Sequence, residues 1–268
     1  MSSMFEKVVK EAKRAGTKRR SESGFGALHD TVSSGLFRIL SFASVEPGTM
    51  ERNKIIPEIG DKAAITAYKV LRTRVLQRMR SNKYRSLIVT GAGPGEGKSL
   101  TACNLAVSIS KDVNQSVFLI DLDLTRPSVA RYFGLEADAG IGDYLTGNAQ
   151  IEDIVYAPKN MDRIAIIPNR GPVENSSDLL ASPRMKELMK WLSEQGGRPL
   201  VIFDMPPVLA CDDVLAFSPL VDALLMVVSE EMTQRDSLSR ALEMVADCNL
   251  LGIVLNRSRE HSNVSAYY

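Results

Sequence analysis

The chain has 268 residues, 44% hydrophobic and 24% charged, a composition that excludes a wholly disordered chain, a collagen-like repeat and a small disulfide scaffold. Thirty-three Lys and Arg nearly balance 32 Asp and Glu, a net charge of +1, so bulk charge does not mark a nucleic-acid binder. Cys103, Cys211 and Cys248 lie no closer than 37 residues apart, which excludes a CxxC zinc or redox spacing and suits a reducing cytoplasm. In chain order, residues 1–60 read as an irregular, basic segment with Ser/Gly clusters. Its first twenty residues carry seven Lys and Arg against two Glu, with Phe5, Val8, Val9 and Ala12 at helical spacing. That pattern fits a helix lying on an anionic membrane surface or a solvated tail. Residues 61–256 read as the folded body and 257–268 as a polar tail. An amphipathic helix is predicted over Ala67–Met79. Strands are predicted at Ser86–Thr90, Val117–Ile120, Arg163–Ile167, Leu200–Phe203, Ala223–Val228 and Gly252–Leu255. Helices are predicted at Lys98–Lys111, Pro183–Gln195 and Gln234–Asp247. Ser182 can cap the second of these, with Pro183 in its first turn and Met185, Leu188, Met189 and Leu192 on one face. Most strands lack period-2 alternation, as when helices cover both faces. The alternation of strands with helices argues for a doubly wound, mostly parallel α/β sheet. No stretch approaches 18 uncharged apolar residues, and no apolar segment precedes a small-residue cleavage site, so neither a span nor a secretory signal is expected.

The strongest motif comes directly after the first of these strands. Ala92–Ser99 fits the P-loop pattern, with Ala at its first position. Gly93, Pro94, Gly95, Glu96 and Gly97 would turn backbone N–H groups inward to cradle phosphates, since glycine has no Cβ to block the approach. The helix that opens at Lys98, Ser99 and Leu100 would add its positive end. Lys98 would reach the β- and γ-phosphates of ATP, and the Ser99 hydroxyl would ligate Mg²⁺. Glycines at 91, 93, 95 and 97 contain no GxGxxG spacing, so a dinucleotide site fits poorly. Two acidic strand ends add to the pattern. Val117–Ile120 runs into Asp121-Leu-Asp123, and Leu200–Phe203 runs into Asp204-Met-Pro-Pro. In a parallel sheet both fall at the C-terminal edge beside the P-loop, where carboxylates hold Mg²⁺ or take a proton, or cap helices. Asn256 ends the last strand, either as a turn residue or as a partner for an adenine edge.

Together the string Pro94-Gly-Glu-Gly-Lys-Ser99, the segment Asp121–Pro127 and the Asp204-Met-Pro-Pro207 motif resemble the bacterial tyrosine autokinases, P-loop enzymes of capsule and exopolysaccharide production. The resemblance runs from about Ala64 to Asn256. It implies a Mg-ATP-dependent kinase that phosphorylates tyrosines in its own C-terminal tail, here Tyr267 and Tyr268. By position, Lys98 and Ser99 bind phosphate and metal, Asp121 accepts the tyrosine proton, and Asp123 and Asp204 organise Mg²⁺ and its waters. The chain departs from the family pattern at Thr125, where Arg is usual. It departs again at Thr66 and Lys69, which replace Glu and Arg of an oligomerisation motif ending at Arg72. The resemblance further implies a homo-oligomer, with the cytoplasmic end of an inner-membrane polysaccharide co-polymerase as activator. A cognate tyrosine phosphatase fits the same family, while the charge balance argues for no nucleic acid, and the lack of an expected span or secretory signal argues for a cytoplasmic location, peripheral on the inner membrane. The competing reading is a MinD/ParA-like ATPase switch, whose signature Lys is replaced here by Gly93; a catalytically weak ATP-binding regulator of a membrane partner is a third.

Overall fold

Phe118, Ile120 and Phe203 turn to one face of a sheet, while Leu119 and Ile202, next to them in the chain, turn to the other; all five are fully buried. This placement comes from a computed structural model, which describes residues 41–43, 47–55, 62–158 and 161–258. Among the described residues the strands are β1 (Ser41–Ala43), β2 (Ser86–Gly91), β3 (Val117–Asp121), β4 (Tyr156–Pro158), β5 (Ile164–Ile167), β6 (Leu200–Asp204), β7 (Ala223–Ser229) and β8 (Leu250–Asn256). The α-helices are α1 (Pro47–Arg52), α2 (Lys62–Asn82), α3 (Lys98–Ser110), α4 (Val129–Phe133), α5 (Ile141–Leu145), α6 (Ser176–Leu180), α7 (Pro183–Ser193), α8 (Asp213–Phe217) and α9 (Arg235–Met244).

The eight strands form one sheet in the order β1-β4-β5-β3-β6-β2-β7-β8. The six from β5 to β8 are parallel, so their C-terminal ends share one edge. β4 runs antiparallel to β5, and β1 runs parallel to β4. One face is covered by α7, α8 and α9 through Met185, Leu188, Leu192, Val214, Phe217 and Ala241. The other is covered by α2, α3 and α4 through Val75, Met79, Leu105, Ile109, Val129 and Phe133. All six parallel strands are those read from the sequence, and the α7 cap is the one expected: Ser182 Oγ accepts from Met185 N at 3.3 Å.

Of the segment expected to be irregular through residue 60, the structure describes residues 41–43 and 47–55 and shows regular elements there; the basic start with Phe5, Val8, Val9 and Ala12 lies outside the described residues. β1 and α1 lie within that segment, and Met50 and Ile55 enter the core beneath α3 and α4. Asn53 Nδ2 donates to the Arg131 and Tyr132 carbonyls, and Asn104 of α3 donates to the Lys54 carbonyl. Two buried apolar residues five positions apart leave no periodic signal, so the sequence pattern is silent there. The strand β4 is also an addition, three residues long and joined to β5 through the single pair Tyr156 and Ile166.

Candidate active site

The loop Ala92–Gly97 leaves the C-terminal end of β2 and enters α3. Gly97 sits at φ +91°, a left-handed conformation natural to glycine, and no side chain caps α3. The first backbone N–H groups of α3 therefore point out of the helix end as an anion cradle. Lys98 is only 7% exposed, and its Nζ donates to the Gly93 carbonyl at 3.1 Å. Burial lowers its pKa, opposed by the carboxylates of Asp204, Glu96 and Asp123.

Asp121 and Asp204 end β3 and β6 and are direct cross-strand partners. Both are fully buried. Asp121 Oδ2 accepts from the amides of Ser128 and Val129 at 2.8 and 2.9 Å, while its Oδ1 has no partner of ordinary geometry, although the Asp123 amide lies near enough to favour the charged form. Burial pushes its pKa up to about 7, the two amides opposing. Burial and the neighbouring Asp121 also push Asp204 well above the carboxylate range. Neither Asp204 oxygen has a hydrogen-bond partner of ordinary geometry, although the Ser99 hydroxyl lies near enough to favour the charged form. Asp123, the third acidic residue, is 9% exposed, and its Oδ1 accepts from Thr125 Oγ1 at 3.0 Å and Arg126 N at 2.9 Å. Thus Asp121 serves a helix start through one oxygen and leaves the other open.

The structure brings Lys98, Ser99, Asp121, Asp123 and Asp204 together at one sheet edge. Among the described residues no group of three or more His, Cys, Asp or Glu converges as a metal cage. Mg²⁺ is usually held by one or two carboxylates plus phosphate oxygens and water, so the test of fit is the oxygens of Asp204, Asp121 and Ser99. The open oxygens of Asp204 and Asp121, facing an uncapped helix end, fit a Mg-nucleotide. Asn256 lies against the P-loop: its Nδ2 donates to the Glu96 carbonyl at 2.9 Å, and its Oδ1 accepts from Arg257 N at 2.9 Å. Tyr267 and Tyr268 lie outside the described residues.

Sequence reasoning missed three residues here. Thr233 donates to Glu96 Oε1 at 2.6 Å, and Arg257 Nη2 donates to the Gly95 carbonyl at 3.0 Å. Asp213, fully buried, accepts from Ser176 Oγ at 2.7 Å through Oδ1 and leaves Oδ2 unpartnered. Each acts on a group far away in the chain, which no local pattern reveals.

A strand, a phosphate-cradling turn, an uncapped helix and acidic ends on neighbouring strands define a P-loop nucleotide-binding protein. The ParA family model, described as NUBPL iron-transfer P-loop NTPase, matches residues 82–265. The chain is 33% identical over 223 residues to the tyrosine-protein kinase YwqD of Bacillus subtilis, covering 81% of this chain and 92% of that one. It is 32% identical to the putative tyrosine-protein kinase EpsB of Ralstonia solanacearum over 74% of this chain but only 26% of EpsB. The kinase domain of the Escherichia coli tyrosine kinase Etk superposes with a TM-score of 0.66 at 25% identity, over 82% of this chain and 89% of that domain. The chain belongs to the bacterial tyrosine-protein kinase family of P-loop NTPases. No helix among the described residues is long and apolar enough to cross a membrane.

Proposed function

We propose that the chain is a Mg-ATP-dependent autokinase that phosphorylates Tyr267 and Tyr268 in the tail of a neighbouring copy. Residues 61–256 form its kinase domain and 257–268 its substrate tail. The observation that carries this reading is the pair Asp121 and Asp204, buried side by side with open oxygens next to Ser99 and Lys98. A buried polar atom left unpaired costs about 1–3 kcal/mol, more when charged, and a bound cation beside the phosphate loop would offset that cost for these three oxygens. Mg²⁺, when bound, draws charge from the phosphates. Ser99, Asp123 and Asp204 would hold it and its waters. Lys98 and the amides of the loop Gly93–Leu100 would bind the phosphates and neutralise the charge that develops on them. Asp121 Oδ1 would take the phenolic proton as the tyrosine oxygen bonds to the γ-phosphorus and the β–γ bridge breaks. Asn256 keeps one N–H and one lone pair for an adenine edge.

Tyr267 stands eleven positions past Asn256. That segment reaches about 36 Å fully extended, and as a flexible coil its typical span is about 18 Å. β8 ends on the same sheet edge as the P-loop, so the tail starts there. Entering its own site requires a sharp reversal, whereas a copy beside that edge is entered in extended form. In the cell this reading makes the protein a regulator of exopolysaccharide or capsule polymerisation and export. It would work in the cytoplasm against the inner membrane, activated by the cytoplasmic end of a polysaccharide co-polymerase and reset by a tyrosine phosphatase.

The test mixes a Lys98→Met protein, expected to lose ATP turnover while keeping its fold, with a tail-truncated but active one. Mass spectrometry should find phosphate on the tail of the Lys98→Met chain. An unlabelled mixture, with efficient and concentration-independent labelling of the wild type, would refute transfer between copies.

A further inference from the structure

Glu96 is the one acidic residue inside the phosphate-binding loop Ala92–Ser99, and it is buried, with 2% exposure. A carboxylate within a few ångströms of a polyphosphate repels it, the more so where water is excluded. The fold holds this carboxylate to one side. Its Oε2 is packed against Gly91, where a Cβ would collide with it. Its Oε1 accepts from Thr233 Oγ1 at 2.6 Å. The Thr233 hydroxyl in turn accepts from Ser229 N at 2.9 Å, which leaves its own hydrogen directed at Glu96. Ser229 is the last residue of β7, the strand that pairs with β2 through Gly91 and Val227. The carboxylate is therefore tied to the sheet itself.

The same turn is held at its backbone. The Glu96 carbonyl accepts from Asn256, and the Gly95 carbonyl accepts from Arg257. In a planar trans peptide the N–H points opposite to the C=O, so these bonds turn the amides of Glu96 and Gly97 away from β8. With the carbonyls fixed by Asn256 and Arg257, Thr233 supplies the hydrogen bond that fixes the side chain.

We infer that Thr233 is a positioning residue for nucleotide binding: its hydroxyl holds the Glu96 carboxylate off the phosphate cradle. The inference rests on the nucleotide-binding reading of the loop and adds to it a determinant of affinity 137 positions away in the chain. Thr233→Val keeps the shape and removes the hydroxyl, whereas Thr233→Ser keeps the hydroxyl. With the full chain and Mg²⁺, binding of a fluorescent ATP analogue should weaken about tenfold in Thr233→Val, with faster dissociation, the scale expected for a hydrogen bond to a charged group. Thr233→Ser should stay within about threefold of wild type. In a Glu96→Gln background Thr233→Val should weaken affinity no further, because the charge to be held away is gone; Glu96→Gln alone is the reference, since that carboxylate also supports the Lys98 charge. Thr233→Ala serves as the hydroxyl-free variant if the Val protein does not fold. Wild-type affinity in the hydroxyl-free variant, or a full further loss in the Glu96→Gln background, overturns the inference while the loop remains a nucleotide site. A wild-type protein that binds no ATP analogue overturns the nucleotide reading and the inference with it.

Discussion

Asp121 shows how burial sets the behaviour of a single side chain. Its pKa stands at about 7 in the folded protein, chiefly through desolvation, against an ordinary value of 3.8. Between about pH 4 and 7 the native protein therefore holds a proton that the unfolded chain has released, so this group's contribution to stability falls as pH rises through that window. Asp121→Asn removes the effect. In metal-free protein, the stability of the variant relative to wild type should rise from pH 4 to pH 8, by about 2–4 kcal/mol for a shift of this size. Denaturant melts at the two pH values measure it, and an equal difference at both would show that Asp121 does not carry the strain. Chemistry at this scale is legible in the sequence where it is contiguous. Lys98, Ser99, Asp121, Asp123 and Asp204 stand in short strings at strand ends, and the structure gathers them at one edge. Thr233, Arg257 and the Ser176–Asp213 pair are not legible, because an ordinary polar residue declares a partner only once the sheet has brought the two together.

Elements with strong local signals can be read directly from the chain. The helix α7 has Ser182, Pro183 and a Met185–Leu188–Leu192 stripe, and each does in the fold what its residue type suggests. Ser182→Ala should lower stability by about 1 kcal/mol, the usual value of such a cap, and leave ATP affinity unchanged; a loss of affinity would mean that α7 reaches the site. The segment α1 and its continuation to Ile55 are illegible, since their stability comes from partners in α3 and α4 and not from any periodicity of their own. Ile55 is 1% exposed. Ile55→Ala should therefore lower stability by about 2–5 kcal/mol, the range for a large-to-small change in a packed core. A thermal melt unchanged from wild type would mean that residues 47–55 are an irregular surface segment after all. β1 and β4 escape a sequence reading for a related reason: three-residue strands carry too few side chains to show a period.

At the scale of the whole molecule the parallel order of six strands decides where every functional group lies, and it is legible because buried strands alternating with helices leave few other arrangements. It places the phosphate loop, the acidic pair and the start of the tail on one edge. Among the described residues it also leaves β8 as an outer strand, with Leu250, Ile253 and Leu255 between 42% and 54% exposed. The shortest way to hide such a strand is for two copies to join their sheets through β8 in antiparallel fashion, an isologous dimer. A seven-residue strand is about 23 Å long, and that pairing would carry each partner's phosphate loop to the far end of it, behind the point where the tail departs. The proposed exchange of tails would instead be served by a rotation axis running roughly along the strands, which keeps every phosphate loop on the same rim. If tails are exchanged between copies as proposed, the polarity of the sheet favours a cyclic, head-to-tail assembly over a sheet-extending dimer, each copy being enzyme to one neighbour and substrate to the other.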